Sequence, residues 1–170
     1  MLNKPTVTLI YLSLLLSAAI FGFFYAWVCS TMWGLDAVDP RIAIEAMQTM
    51  NGSVRNAIFA PAFFGTPVAL GLTAFMLRRA RVNKGSLLFS LSAGIYLCFG
   101  LILTMAVNVP MNEALGALSV PQDIDQAHVI WSEYSGPWQF WNQTRTVASG
   151  ISFLFAVAGV LTLSRLAHPS

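Results

Sequence analysis

Four stretches of about twenty uncharged, mostly apolar residues leave this chain few ways to fold. They run from Thr6 to Cys29, Ala57 to Leu77, Gly85 to Val107 and Thr146 to Ser164. Each is long enough to cross the roughly 30 Å hydrocarbon layer as a helix. In hydrocarbon every backbone N–H and C=O must find a partner inside the protein, which restricts spanning structures to helices and closed barrels. The alternating segments of about ten residues that build a membrane barrel are absent. Only 9% of the residues are charged, against about 25% in soluble domains. The expected fold is therefore all-α: a four-helix transmembrane bundle forming a single polytopic membrane domain over residues 1–170. Its spans lie near 6–29, 57–77, 85–107 and 146–164, with helical outer cap segments at 30–56 and 108–145.

The first run opens like a signal peptide, with Lys4 ahead of "LIYLSLLLSAA". It then continues through "IFGFFYAWV" with no small-x-small site, so a retained helix is expected. Charge sets the orientation. With both termini inside, the inner side holds six basic residues and no acidic ones: Lys4, Arg78, Arg79, Arg81, Lys84 and Arg165. All seven acidic residues then fall outside. The "RRARVNK" turn dominates this positive-inside signal, which places the chain in a bacterial inner (plasma) membrane with cytoplasmic termini. No clustered basic face points to nucleic acid.

Small residues recur every four positions in all four runs: Ala18, Gly22 and Ala26; Gly65, Ala69 and Thr73; Ser86, Ser90, Gly94 and Cys98; Ala148, Ser152 and Ala156. Such stripes let helices approach closely in lipid. They serve packing within the bundle or contact between copies in a homo-oligomer. In the first outer segment, Asp39 and Pro40 read as the cap and first residue of a helix. Ile42, Ala46, Met47 and Met50 fall on one face and Gly52 stops it, which makes a short amphipathic helix lying on the bundle or in the membrane interface. In the second, Pro110 is expected to kink or end the third helix near Asn108. A helix over Pro121–Tyr134 is expected to stop at Ser135 and Gly136, with the fourth helix starting at Pro137.

Two motifs concentrate polar groups at the membrane boundary. "NVPMNE" (108–113) follows the long apolar run, and Thr104, Asn108 and Asn112 share a face if the helix survives Pro110. Otherwise Asn108 caps a break, with Asn112 and Glu113 in water. "WSEYSGPWQFWNQTRT" (131–146) places Trp138, Asn142, Arg145 and Ser149 on one stripe, with Trp141 beside it. Tryptophans at this depth usually form an interfacial belt, which accounts for Trp27, Trp33 and Trp131 but not for Arg145. That guanidinium either snorkels outward or meets an anion, for which Glu113 and an anionic ligand are the candidates. A pocket opening outward follows, with Trp and Phe walls suited to a flat aromatic or quinone-like ligand. Asn108, Asn112, Asn142, Arg145 and Glu113 form its polar floor, and Tyr96, Thr104, Phe63 and Phe64 lie deeper.

Other chemistries fit less well. His128 and His168 lie at opposite depths, unsuited to a shared haem. Asp123, Asp125 and His128 in "DIDQAH" read as a solvated acidic turn as readily as a metal site. Cys29 and Cys98 differ by about 14 Å in helical rise and form no C-x-x-C. No metal and no cofactor are expected.

"AMQTMN" at 46–51, "NVPMNE" and the "W…Y…W..WN..RT" pattern resemble the anthrone oxygenase-like family of small four-helix membrane proteins, and the likeness spans most of the chain. The resemblance implies an oxidoreductase, a monooxygenase that uses O₂ to convert an anthrone to an anthraquinone. It carries over Asn108, Asn112, Glu113, Trp138, Trp141, Asn142, Arg145 and Thr146 as motif positions. Such a site needs a base and groups that stabilise an enolate oxygen. Arg145 with Asn108 or Asn142 is expected to hold the oxyanion. Glu113 is the expected base, with His128 second. The alternative is a non-catalytic membrane protein that binds a lipid, a quinone or a partner subunit.

Overall fold

The computed structural model describes residues 2–167, with side chains described through Leu163; the Arg165 side chain and His168 lie outside the described residues. The fold is all-helical, with five helices among the described residues. They are α1 (Lys4–Asp36), α2 (Pro40–Ser53), α3 (Phe59–Arg79), α4 (Asn83–Gly116) and α5 (Ile124–Ala167). Four of them, α1, α3, α4 and α5, are long and apolar enough to cross a membrane. These four pack in a ring, each between two neighbours: α1 on α3 and α5, and α4 on α3 and α5.

Helix length explains where the cap comes from. At 1.5 Å per residue, the 21 residues of α3 reach about 31 Å, one bilayer thickness. The 33 residues of α1 and the 34 of α4 reach about 50 Å, and α5 goes further. Three helices therefore project beyond the start of α3, and the short α2 fills the vacancy above it. Asp39 caps α2 by accepting from the Arg41 backbone N–H (2.9 Å), with Pro40 in the first turn, as the sequence indicates. The buried face differs from the expected one. Ala43, Ile44 and Met47 are fully buried, whereas Ile42 is exposed and Ala46 half-buried. They pack with Leu115, Ala127, Trp131, Tyr134 and Trp138.

Two expected breaks are absent. α4 continues through Pro110 to Gly116, with π-wound turns at Tyr96–Ile102 and Thr104–Asn108. Proline lacks an N–H, and a local π turn re-registers the carbonyls that this leaves unpaired. α5 runs without interruption through Ser135, Gly136 and Pro137. The proline ring clashes with the Cβ of the preceding residue, and Gly136 has none. The outer segments are thus mostly extensions of the spanning helices. α1 also contains a π turn, at Trp27–Thr31.

Two of the small-residue stripes do not pack inside the bundle. Ala18, Gly22 and Ala26 are exposed, as are Ser90, Gly94 and Cys98. α1 instead buries Ser13, Ser17, Ile20 and Phe24, and α4 buries Ser86, Phe89, Ser92 and Tyr96. The stripes at Ala69 and Thr73, and at Ala148, Ser152 and Ala156, are buried. The aromatic belt also shrinks. Trp33 is exposed, but Trp131 is buried and donates its Nε1–H to Asp36 (2.9 Å).

Candidate functional site

A cavity of about 580 Å³ lies where α3 begins, walled by α1, α2, α3, α4 and α5. Its size falls in the usual range for small-molecule pockets, about 300–1,000 Å³. Most of the wall is aromatic or aliphatic. Phe23 packs on Phe59 with ring centroids 4.8 Å apart, and Phe59 stacks on Phe63 at 5.4 Å. Trp27 meets Trp138 at 5.1 Å. Thr104, Asn112, Glu113, Trp138 and Arg145 all line this one space.

Arg145 is the electrostatic centre. It is only 5% exposed, and burying a charge is costly unless it is paired. The ion pairs among the described residues are Arg41–Asp39 and Arg55–Glu113, so no carboxylate meets it. Glu113, the expected protein partner, is engaged by Arg55 at 3.0 Å at the cavity edge. Neutral groups hold the guanidinium instead. Nε donates to Asn142 Oδ1 (3.0 Å) and Nη1 to Thr104 Oγ1 (3.2 Å). The Phe24 ring lies 4.4 Å from the guanidinium carbon and the Trp138 ring 5.3 Å, within cation–π range. Nη2 makes no hydrogen bond among the described residues, on a side chain that lines the cavity.

The amides divide by role. Asn142 is fully buried with both ends committed, since Nδ2 donates to the Phe24 carbonyl (3.3 Å) and Oδ1 accepts from Arg145. It fixes the arginine and is not in the cavity wall. Asn112 Oδ1 accepts from the Tyr134 hydroxyl and from Trp138 Nε1, both at 2.8 Å, and so locks the indole. Asn108 lies one turn from Thr104 and from Asn112 along α4. It is completely buried, and neither side-chain polar atom has a partner among the described residues. Such a group needs a specific explanation.

Four residues expected in the pocket are not in its wall: Asn108, Asn142, Trp141 and Tyr96. Trp141 is half-buried against the exposed Phe140 (5.1 Å), outside the cavity wall. Tyr96 is buried one layer deeper and donates to the Phe63 carbonyl (3.0 Å). His128 is exposed on the cap, and Asp123 caps α5 by accepting from the backbone of Asp125 and Gln126. Phe24 and Arg55 complete the site together with Trp27, which stands in the cavity wall and not in an interfacial belt; "FGFFYAW" is the most aromatic stretch in the chain. Asp36 has no motif around it that marks its role. Its carboxylate gathers Trp131, Ser135 (2.7 Å) and Gln139 (2.8 Å) and binds the end of α1 to α5.

No curated protein and no solved structure matches the chain significantly. A family model described as Anthrone oxygenase matches residues 54–155, a span that holds Arg55, Thr104, Asn112, Glu113, Trp138 and Arg145. On that match, which covers more than half of the sequence, the chain belongs to the anthrone oxygenase family.

Proposed function

We propose that this membrane protein oxidises a hydroxylated polycyclic aromatic of the anthrone type to a quinone with O₂, without a cofactor. One observation carries the reading: a buried guanidinium with no carboxylate partner lines an aromatic cavity in a chain of this family. Arg145 is the oxyanion-binding residue, and Nη2 is its open donor. Asn142 and Thr104 position it. Trp138 and Phe24 hold the flat ring system and keep water from the oxygen. Glu113, the one acidic residue in the wall, is the base at the rim.

An anthrone methylene is acidic because its conjugate base is an aromatic enolate. Glu113 takes one methylene proton, and Arg145 stabilises the developing O⁻ in a low-dielectric site, where such donors are most effective. The electron-rich enolate carbon combines with O₂ to give a carbon hydroperoxide. Loss of the second C–H proton with departure of hydroxide leaves a carbonyl. One oxygen atom is thus incorporated, the other leaves as water, and no external reductant is consumed. We infer from the basic α3–α4 turn that the termini face the cytoplasm and the cavity the opposite side.

The test is oxygen uptake and quinone absorbance with purified protein and 1,8-dihydroxyanthrone. The expected result is consumption above the buffer rate that is lost in Arg145→Met. No excess across a series of hydroxyanthrones removes the reading.

A second reading, a non-catalytic protein that binds a lipid, a quinone or a partner subunit, is favoured by the bonds of Asn112 and Asp36. These tie the cap to the bundle. It expects Asn112→Ala to lower thermal stability, and catalysis by the wild type removes it.

A further inference from the structure

We propose that the cavity is loaded sideways from the bilayer through a window between α3 and α4, and that Met105, Val109 and Phe64 form its rim. The inference rests on the reading that the cavity takes a flat aromatic, and it narrows the substrate class to molecules that partition into the membrane.

The cap closes the end of the cavity. Met50, Asn51 and Val54 of α2 and its following turn lie in the wall. Behind them Met47, Leu115, Trp131, Tyr134 and Trp138 pack as a continuous apolar cluster. Gln48 ties this roof down by donating to the Leu115 and Leu118 carbonyls (2.8 and 2.9 Å).

The side is open. α3 packs on α4 over Asn83–Ile102. The wall residues contributed by α4 all lie beyond that stretch, between Thr104 and Glu113. Two π turns, Tyr96–Ile102 and Thr104–Asn108, lie along α4 up to this level. Two apolar wall residues, Phe64 and Met105, are 51% and 46% exposed on the outside of helices apolar enough to span a bilayer. Met105 lies eight residues before Glu113, so the window reaches about 12 Å down from the rim carboxylate. The exposed Arg55–Glu113 pair bridges the top of this opening and separates it from the aqueous side. A planar aromatic of low solubility then passes from lipid to the guanidinium edge-on, without crossing the cap.

A window governs the rate of exchange, whereas a contact wall governs affinity. The test uses the full chain in proteoliposomes, with 1,8-dihydroxyanthraquinone as a non-reacting probe read by its visible absorbance in stopped flow. Met105→Trp and Val109→Trp should each slow association and dissociation together by about tenfold while Kd changes much less. Leu72→Trp, an exposed change elsewhere on α3, should leave both rates as in the wild type. A water-soluble anthraquinone sulfonate, excluded from the bilayer, should associate far more slowly than the neutral probe. Unchanged rates in both rim variants, equally fast entry of the sulfonate, or no binding of either probe by the wild type would each overturn the proposal. Rim effects on the probe without O₂ uptake on 1,8-dihydroxyanthrone would sink the catalytic reading and leave the window standing.

Discussion

In the half of the bundle that carries the termini, buried polar groups come in satisfied sets. Ser13 meets Thr73 at 2.9 Å, Ser92 meets Ser152 at 3.0 Å, and Ser86 donates to the Ala74 carbonyl at 2.8 Å. Around them Ile10, Leu70, Leu77, Phe89 and Ala156 pack into a core. In the cap half the same chain winds two of its helices into π turns, buries a guanidinium without a counter-ion, and leaves Asn108 wholly unpartnered. Ser17, midway along α1, is the remaining buried side chain without a partner among the described residues. One half is arranged to hold helices together. The other holds a buried charge beside a cavity.

Substitutions in the two halves should therefore fail in opposite ways. The largest effect is expected at Arg145. Losing one preorganised oxyanion donor costs roughly 100- to 1,000-fold in rate, and Arg145→Met should show a fall of that size in oxygen uptake. Arg145→Met removes the desolvation cost of a buried, unpaired charge but leaves the buried Asn142 Oδ1 without its donor, so thermal unfolding in detergent should shift far less than activity.

Gly159→Ala should do the reverse. A Cβ there comes within 2.8 Å of the fully buried Phe89 ring. Overpacking of this kind costs about 1–3 kcal/mol, seen as a lower unfolding temperature. Activity per folded molecule should be unchanged. If Gly159→Ala impairs turnover as much as stability, the two halves are not separable.

Asn108→Leu sharpens the contrast inside the cap half. Removing an unsatisfied buried amide should raise stability by about 1 kcal/mol. Catalysis should fall if the amide serves the site through a water or the ligand. A destabilised Asn108→Leu protein would show that the amide is paired in the working molecule and belongs to the scaffold.

The smallest effect concerns the α2 cap. The Arg41 side chain, donating to Asp39, holds that carboxyl below its usual value of 3.8. A lowered folded-state value means that the ionised cap contributes stability above that usual value and loses it as pH falls through the lower one. Hydrogen exchange of the first turn of α2 should thus be flat near neutrality and rise only in strong acid. A transition near neutrality would contradict this account of the cap.

Much of the fold was legible because it follows from length and polarity. Four apolar runs, the Asp39–Pro40 start of α2 and the absence of a strand pattern all survive in the structure. The convergence of Thr104, Asn112, Trp138 and Arg145 was also readable, since Asn112, Trp138 and Arg145 sit in polar and aromatic motifs beside the apolar runs and Thr104 lies two turns before Asn112. Pro110 and Ser135–Pro137 carry the residues that end helices in water, yet both helices run through them. At Pro110 the helix persists through a local π turn, Thr104–Asn108, and at Pro137 it persists because Gly136 has no Cβ to meet the proline ring. Nor did spacing by four reveal which small residues face inward. In α1 the buried face is Ser13, Ser17 and Phe24, a register that only the neighbouring helices decide. Phe24 beneath Arg145 joins residues 121 positions apart, a contact that no local pattern encodes.

The central claim is that the unpaired face of Arg145 is a receptor for an anionic oxygen on a flat ring. An experimental structure with 1,8-dihydroxyanthraquinone tests it most directly. The account predicts the ring system in the cavity beside Trp138 and Phe24, with one oxygen within about 3.2 Å of Arg145 Nη2. A ligand bound elsewhere, or an Arg145 side chain turned out of the cavity to a carboxylate, would contradict it.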